Sequence, residues 1–150
     1  MVVLVGGAVL FALVSWLVVT DKQRIEELID RGIEALQEQQ DESCLALLDD
    51  TCELSDGGHL TAVSREDFRP VLRHLAQAFS SLKIEKQKLK VVVSEDTARA
   101  AFQIMVELTS RDIGPGPLCQ LRGVLALRRV EPKVWKVSRI ELIEKRSGFR

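Results

Sequence analysis

The spacing of apolar residues changes once along this chain, and that change constrains what it can fold into. Before Ser80 they recur every three to four positions, as one buried face of a helix requires. Ile25, Leu28, Ile29, Ile33 and Leu36 make one such stripe, and Phe68, Val71, Leu72, Leu75, Ala76 and Phe79 make another. After Ser80 the period is two. Leu82 and Ile84 alternate with charged residues, then Leu89, Val91 and Val93 carry the pattern in the opposite phase. Ala98, Ala100, Phe102, Ile104, Val106 and Leu108 alternate without a break, and Leu121, Leu125 and Leu127 share a face. Trp135 and Val137 then give way to Ile140 and Leu142. Each phase shift, near Gln87 or Lys88 and after Val137, needs one extra residue, a β-bulge that bends its strand.

Turn residues divide these segments. Ser94-Glu95-Asp96, the loop from Ile113 to Pro117 and Glu131-Pro132-Lys133 separate four long strands, the last over 134–145, with 147–150 as a polar tail. Ahead of them a first helix is predicted over about 21–39, opened by a capping box at Thr20 to Gln23. Asp41 is the predicted N-cap of a short second helix carrying Cys44, Leu45, Leu47 and Leu48. Thr51 to Leu54 reads as a short strand, Ser55-Asp56-Gly57-Gly58 as a turn and His59 to Val63 as its return. Ser64 or Asp67 caps a third helix, and only with Asp67 does Pro70 fall harmlessly in the first turn. Helices gathered before a meander imply an α+β domain, with three helices on one face of a mainly antiparallel sheet of four to six strands.

Val2 to Thr20 contains no charged residue. Nineteen residues span about 29 Å as a helix, close to the hydrocarbon thickness of a bilayer. No basic residue precedes the run, and it ends Leu-Val-Val-Thr rather than at a small-x-small cleavage site. The expectation is a retained single-pass membrane anchor over 1–20, a domain over 21–146 and membrane localisation. Lys22, Arg24 and Arg31 follow the span, which puts the domain on the cytoplasmic side.

The 21 basic and 22 acidic side chains nearly balance, which argues against a nucleic-acid binder. Cys44, Cys52 and Cys119 are an odd number with no C-x-x-C spacing, so neither a complete disulfide set nor a metal site is implied. The two histidines, His59 and His74, are too sparse for metal binding, and no cofactor motif is present. Gly114-Pro115-Gly116 lacks the Lys-Ser/Thr pair of a phosphate loop. Lys83, Lys86, Lys88 and Lys90 read as a solvated strand face.

Certain phrases resemble the nuclear transport factor 2-like superfamily, which includes ketosteroid-isomerase-like and SnoaL-like domains. They are Ile25-Glu26-Glu27-Leu28-Ile29, the run from Cys44 to Thr51, Ser64-Arg65-Glu66-Asp67-Phe68 and Val134-Trp135-Lys136-Val137. The resemblance covers residues 21 to 145. It implies a cone-shaped, cystatin-like domain whose curved sheet leaves a pocket at its open end, and frequent dimerisation through the sheet. On the outer face Ala101, Met105 and Ile143 would serve a homodimer. The superfamily's isomerases carry an aspartate general base shortly after the Asp-Asp phrase. An ungapped count from Asp49-Asp50 lands on Ser55, with Asp56 one residue late, and the chain has no tyrosine to act as oxyanion donor. Asp56 and His59 are therefore the weak candidates for acid–base chemistry. The pocket lining is expected to include Phe68, Leu72, Phe79, Phe102, Ile104, Leu125 and Trp135. An apolar lining without convergent titratable groups points to a non-catalytic domain that binds a small apolar ligand or a protein partner. The alternatives are an isomerase, dehydratase or cyclase acting on a lipid-like substrate, and a structural dimerisation module.

Overall fold

The computed structural model describes residues 2–56 and 58–149, with side-chain surroundings for 5–13, 21–56 and 58–146. The chain runs α1 (Val2–Gln37), α2 (Asp41–Leu45), β1 (Leu48–Asp56), β2 (His59–Ser64), a 3-10 turn (Arg65–Asp67) and α3 (Phe68–Ala78). The long strands β3 (Phe79–Ser94), β4 (Thr97–Ser110), β5 (Gly114–Glu131) and β6 (Val134–Phe149) follow. All six strands form one sheet in the order β2-β1-β6-β5-β4-β3. β1–β2, β3–β4, β4–β5 and β5–β6 pair antiparallel, and β1 lies parallel to β6, with Leu54 beside Ile140 and Asp56 beside Leu142.

Both predicted bulges are present. The β3–β4 register slips between Lys86 and Lys88, and Ser138 is skipped where Leu127 pairs with Val137 and Ala126 with Arg139. They curve the sheet, and its concave face receives α1. Ile25, Leu28 and Ile29 of α1 are buried in one cluster with Cys52, Val91, Ala98, Ala100, Leu127, Trp135 and Val137. Each large aliphatic side chain so covered contributes about 1.5–3 kcal/mol. Because Leu127 faces this core, Arg128 lies on the outer face, where it grips the buried Asp49 carboxylate with two hydrogen bonds of 2.9 and 3.0 Å. Arg139 donates two hydrogen bonds, of 2.9 and 2.6 Å, to Oε2 of the half-exposed Glu53.

Four features differ from the sequence expectations. First, α1 is continuous from Val2 to Gln37, so no helix starts at the Thr20 to Gln23 capping box. Such a box competes only where a helix must start, and Leu-Val-Val-Thr carries the helix into Asp21 without interruption. Second, the membrane anchor and the membrane localisation are corrected: among the described residues no helix is long and apolar enough to cross a membrane. The side chains of 14–20, Trp16 among them, lie outside the described residues. Third, α2 stops at Leu45, and β1 starts at Leu48, earlier than predicted. Residues Leu48 and Asp49 extend because β6 supplies a parallel partner, Val137 for Leu48. Fourth, the proposed loop at 113–117 and the polar tail are mostly strand. Gly114 and Pro115 pair with Ser110 and Thr109, and Ser147 and Phe149 with Cys119 and Leu118. Leu118 is the last described β5 residue paired with β6, so beyond it β5 is an edge, where prolines need not donate to a neighbour.

Candidate functional site

Helix α3 begins at Phe68, with Pro70 in its first turn, as the Asp67 reading required. Its apolar stripe is strongly amphipathic, yet none of its residues is fully buried. Of its residues only Phe68 packs against the buried core cluster. Leu72, Leu75 and Phe79 wall a groove against Ala35 and Leu36 of α1 and Cys44 of α2. Its free volume is about 20 Å³, room for one water molecule. Polar contacts tie the ends of α3 to its surroundings. Arg69 donates to Glu42 of α2 and, at 3.2 Å, to Glu66. Arg111 donates to the Ala76 carbonyl at 3.0 Å, and Gln39 to the Phe79 carbonyl at 3.3 Å. Hydrogen bonding and charge from Arg69 hold the Glu42 carboxyl below its ordinary range, and Glu42 and Glu66 raise the Arg69 guanidinium in return.

The seven residues expected to line one pocket occupy several places. Leu72 and Phe79 line the α3 groove. Phe68 and Leu125 pack against the core, and Trp135 is part of it. Phe102 lies across Gly123, in register between Leu89 and that glycine. Ile104 is half-buried between Lys86 and Leu121. Asp56 and His59 are register partners at the end of the β1–β2 hairpin, and both are exposed. His74 is exposed on α3. Of the outer-face trio, Ala101 and Ile143 are exposed and Met105 is half-buried. Lys86 pairs with Asp30 at 2.7 Å, and the other lysines of that stretch are exposed.

All three cysteines are free thiols. Burial, and secondarily Asp49 and Glu53, pushes the Cys52 thiol up to about 11. Burial also raises Cys44, with help from Asp41. Among the described residues no group of three His, Cys, Asp or Glu side chains is placed to hold a metal.

A second and larger cleft was not anticipated. It opens where α1 passes the β5–β6 turn and the α2–β1 link, and its volume is about 330 Å³. Arg24, Glu27, Leu28 and Arg31 of α1 form one wall, and Lys133, Trp135 and Lys136 another. The α1 positions are spaced i, i+3, i+4, i+7 along one side of the helix, which was the available signal. The Arg129 guanidinium stacks on Trp135, 4.9 Å from the ring centroid, and Asp21 holds Arg129 at 2.6 Å and Arg24 at 3.2 Å. The buried Trp135 Nε1 and Arg129 Nε have no hydrogen-bond partner.

No family model and no curated protein matches the sequence. Solved structures match the fold over most of its length. A nuclear transport factor 2-like superfamily protein from Salmonella enterica superposes with a TM-score of 0.72 at 14% identity, over 87% of this chain and 93% of its own. A protein with a cystatin-like fold from Nostoc punctiforme gives 0.60 at 17% identity, over 81% and 90%. A hexachlorocyclohexane dehydrochlorinase gives 0.65 at 14% identity, over 86% and 92%. The chain therefore shares the curved, cystatin-like α+β fold of these proteins.

Proposed function

We propose that this domain is a non-catalytic binding module that takes a small apolar ligand in the groove beneath α3. The observation that carries this reading is the incompletely covered stripe of that helix. Leu72 and Leu75 of α3, with Phe79 at the start of β3 rather than on the helix as the sequence suggested, are each only half-buried over a groove walled by other apolar side chains. Covering such surface is favourable by about 25 cal/mol per Å². The groove as it stands is too small for a ligand, so binding displaces α3 outward, a helix held mainly by contacts at its ends. Saturable fluorescence enhancement of neutral Nile red tests this. Leu75→Lys should weaken that binding at least tenfold, about 1.4 kcal/mol, with an unchanged circular dichroism spectrum. An unsaturable signal, or equal binding by the variant, would sink the proposal.

A second reading is an isomerase- or elimination-type enzyme on a lipid-like substrate. It is favoured by the register pairing of Asp56 with His59 and by a fold neighbour named as a dehydrochlorinase. Conversion of a β,γ-unsaturated ketone that is lost in both Asp56→Asn and His59→Gln would support it over the binding reading.

A further inference from the structure

We infer that the cleft beside the β5–β6 turn binds a small organic anion, a phosphate or carboxylate borne on a flat apolar body. Its walls carry four cations, Arg24, Arg31, Lys133 and Lys136, against one carboxylate, Glu27. The Arg129 guanidinium lies over the Trp135 ring, where Asp21 and Asp96 meet its charge. Asp21 is shared between Arg24 and Arg129, and Lys136 donates to the Ala46 carbonyl. Among the described residues neither Arg31 nor Lys133 has an ion-pair partner. A chain with net charge −1 thus gathers unneutralised cations in a concavity, where low-dielectric walls focus their field on an entering anion.

The apolar half of the ligand is set by the rest of the lining. Leu28, Leu47, Val134 and Trp135 supply hydrophobic surface between the charged groups. Trp135 itself is only 3% exposed, and the lining is rich in donors, Arg24, Arg31, Lys133 and Lys136, and poor in acceptors, with Glu27 its carboxylate. An anion's oxygens are the complement of that imbalance. The volume of about 330 Å³ lies within the range of small-molecule sites, about 300–1,000 Å³. The cleft is separate from the α3 groove, so this inference stands independently of the function proposed above.

Isothermal titration calorimetry of the full chain with 1-naphthyl phosphate, inorganic phosphate and 1-naphthol tests both halves. The expected result is that 1-naphthyl phosphate binds at least tenfold more tightly than either fragment. Added salt weakens it, and Leu75→Lys leaves it unchanged. The double variant Arg31→Gln/Lys133→Gln should weaken binding at least tenfold. Because both side chains are exposed, its melting temperature should match that of the parent chain. The charge-keeping pair Arg31→Lys/Lys133→Arg should retain most of the affinity, which controls for any loss of fold in the neutral variant. Absence of heat with 1-naphthyl phosphate at millimolar concentration, equal affinity for 1-naphthol, or indifference to the neutral substitutions would each overturn the inference.

Discussion

Gly123 is the residue at which the sheet leaves least room. It pairs with Phe102 on one side and Leu142 on the other. A Cβ added there would meet the Glu141 carbonyl oxygen, which belongs to the neighbouring backbone, and stand 2.7 Å from Phe102 Cζ. Backbone cannot yield as a flexible side chain does, so Gly123→Ala should destabilise the fold by about 1–3 kcal/mol. Urea unfolding would show a lower midpoint at unchanged slope. Phe102→Leu in the same chain should recover part of that loss, and a strictly additive double mutant would refute the Phe102 contact as a contributor. Phe102 was legible from the sequence as an inward residue of an unbroken alternation. That its ring would lie on a glycine was not, because the β4–β5 register depends on pairings on both sides. The Arg24–Arg31 wall was missed for a similar reason. Its spacing is visible, but what faces it is set by a turn more than a hundred residues away.

At the level of elements, the attachment of α3 depends on acidity. Its Arg69 is bound by Glu42 of α2, and the Glu42 carboxyl titrates below its ordinary 4.5. A depressed folded-state value means that the contribution is fully present above 4.5 and is lost as pH falls through the lowered value. Both groups meet at the surface, where screening keeps the effect small. Amide exchange in α3, corrected for its intrinsic pH dependence, should lose protection below pH 4.5. Glu42→Gln should show the weaker protection throughout, and a variant that followed the parent's pH profile would refute the link. The existence of this helix was readable from its long apolar stripe, but the sequence allowed a start at Ser64 or Asp67, and Phe79, its last apolar residue by spacing, opens β3 instead. The start of the first helix was not legible. A capping box and an uncharged run suggested a boundary at Thr20, but neither can halt a helix whose next turn, Asp21 to Arg24, also propagates well. The 113–117 loop was misjudged through its prolines and glycines, which an edge position makes compatible with pairing.

For the molecule as a whole, the alternation and both bulges made the four-strand meander legible, and the α+β class followed from the order of the elements. The parallel union of β1 with β6 was not legible, because nothing local to Leu48–Asp56 names a partner some ninety residues later. Deleting 134–150 removes Trp135 and Val137 from the core and strips β1 of its inner neighbour. The shortened chain should show no cooperative thermal transition, and retention of one would mean that the remaining strands suffice. The same arrangement has a temporal side. On a ribosome the strands appear in numerical order, yet the last to emerge must occupy the berth between the first and the fifth. Until then the β1–β2 hairpin has nowhere to dock, and the edges of β1 and β5 stand open to any passing strand. Assembly of the sheet must therefore wait until β6 has emerged, and in that interval the nascent chain is most in need of a chaperone.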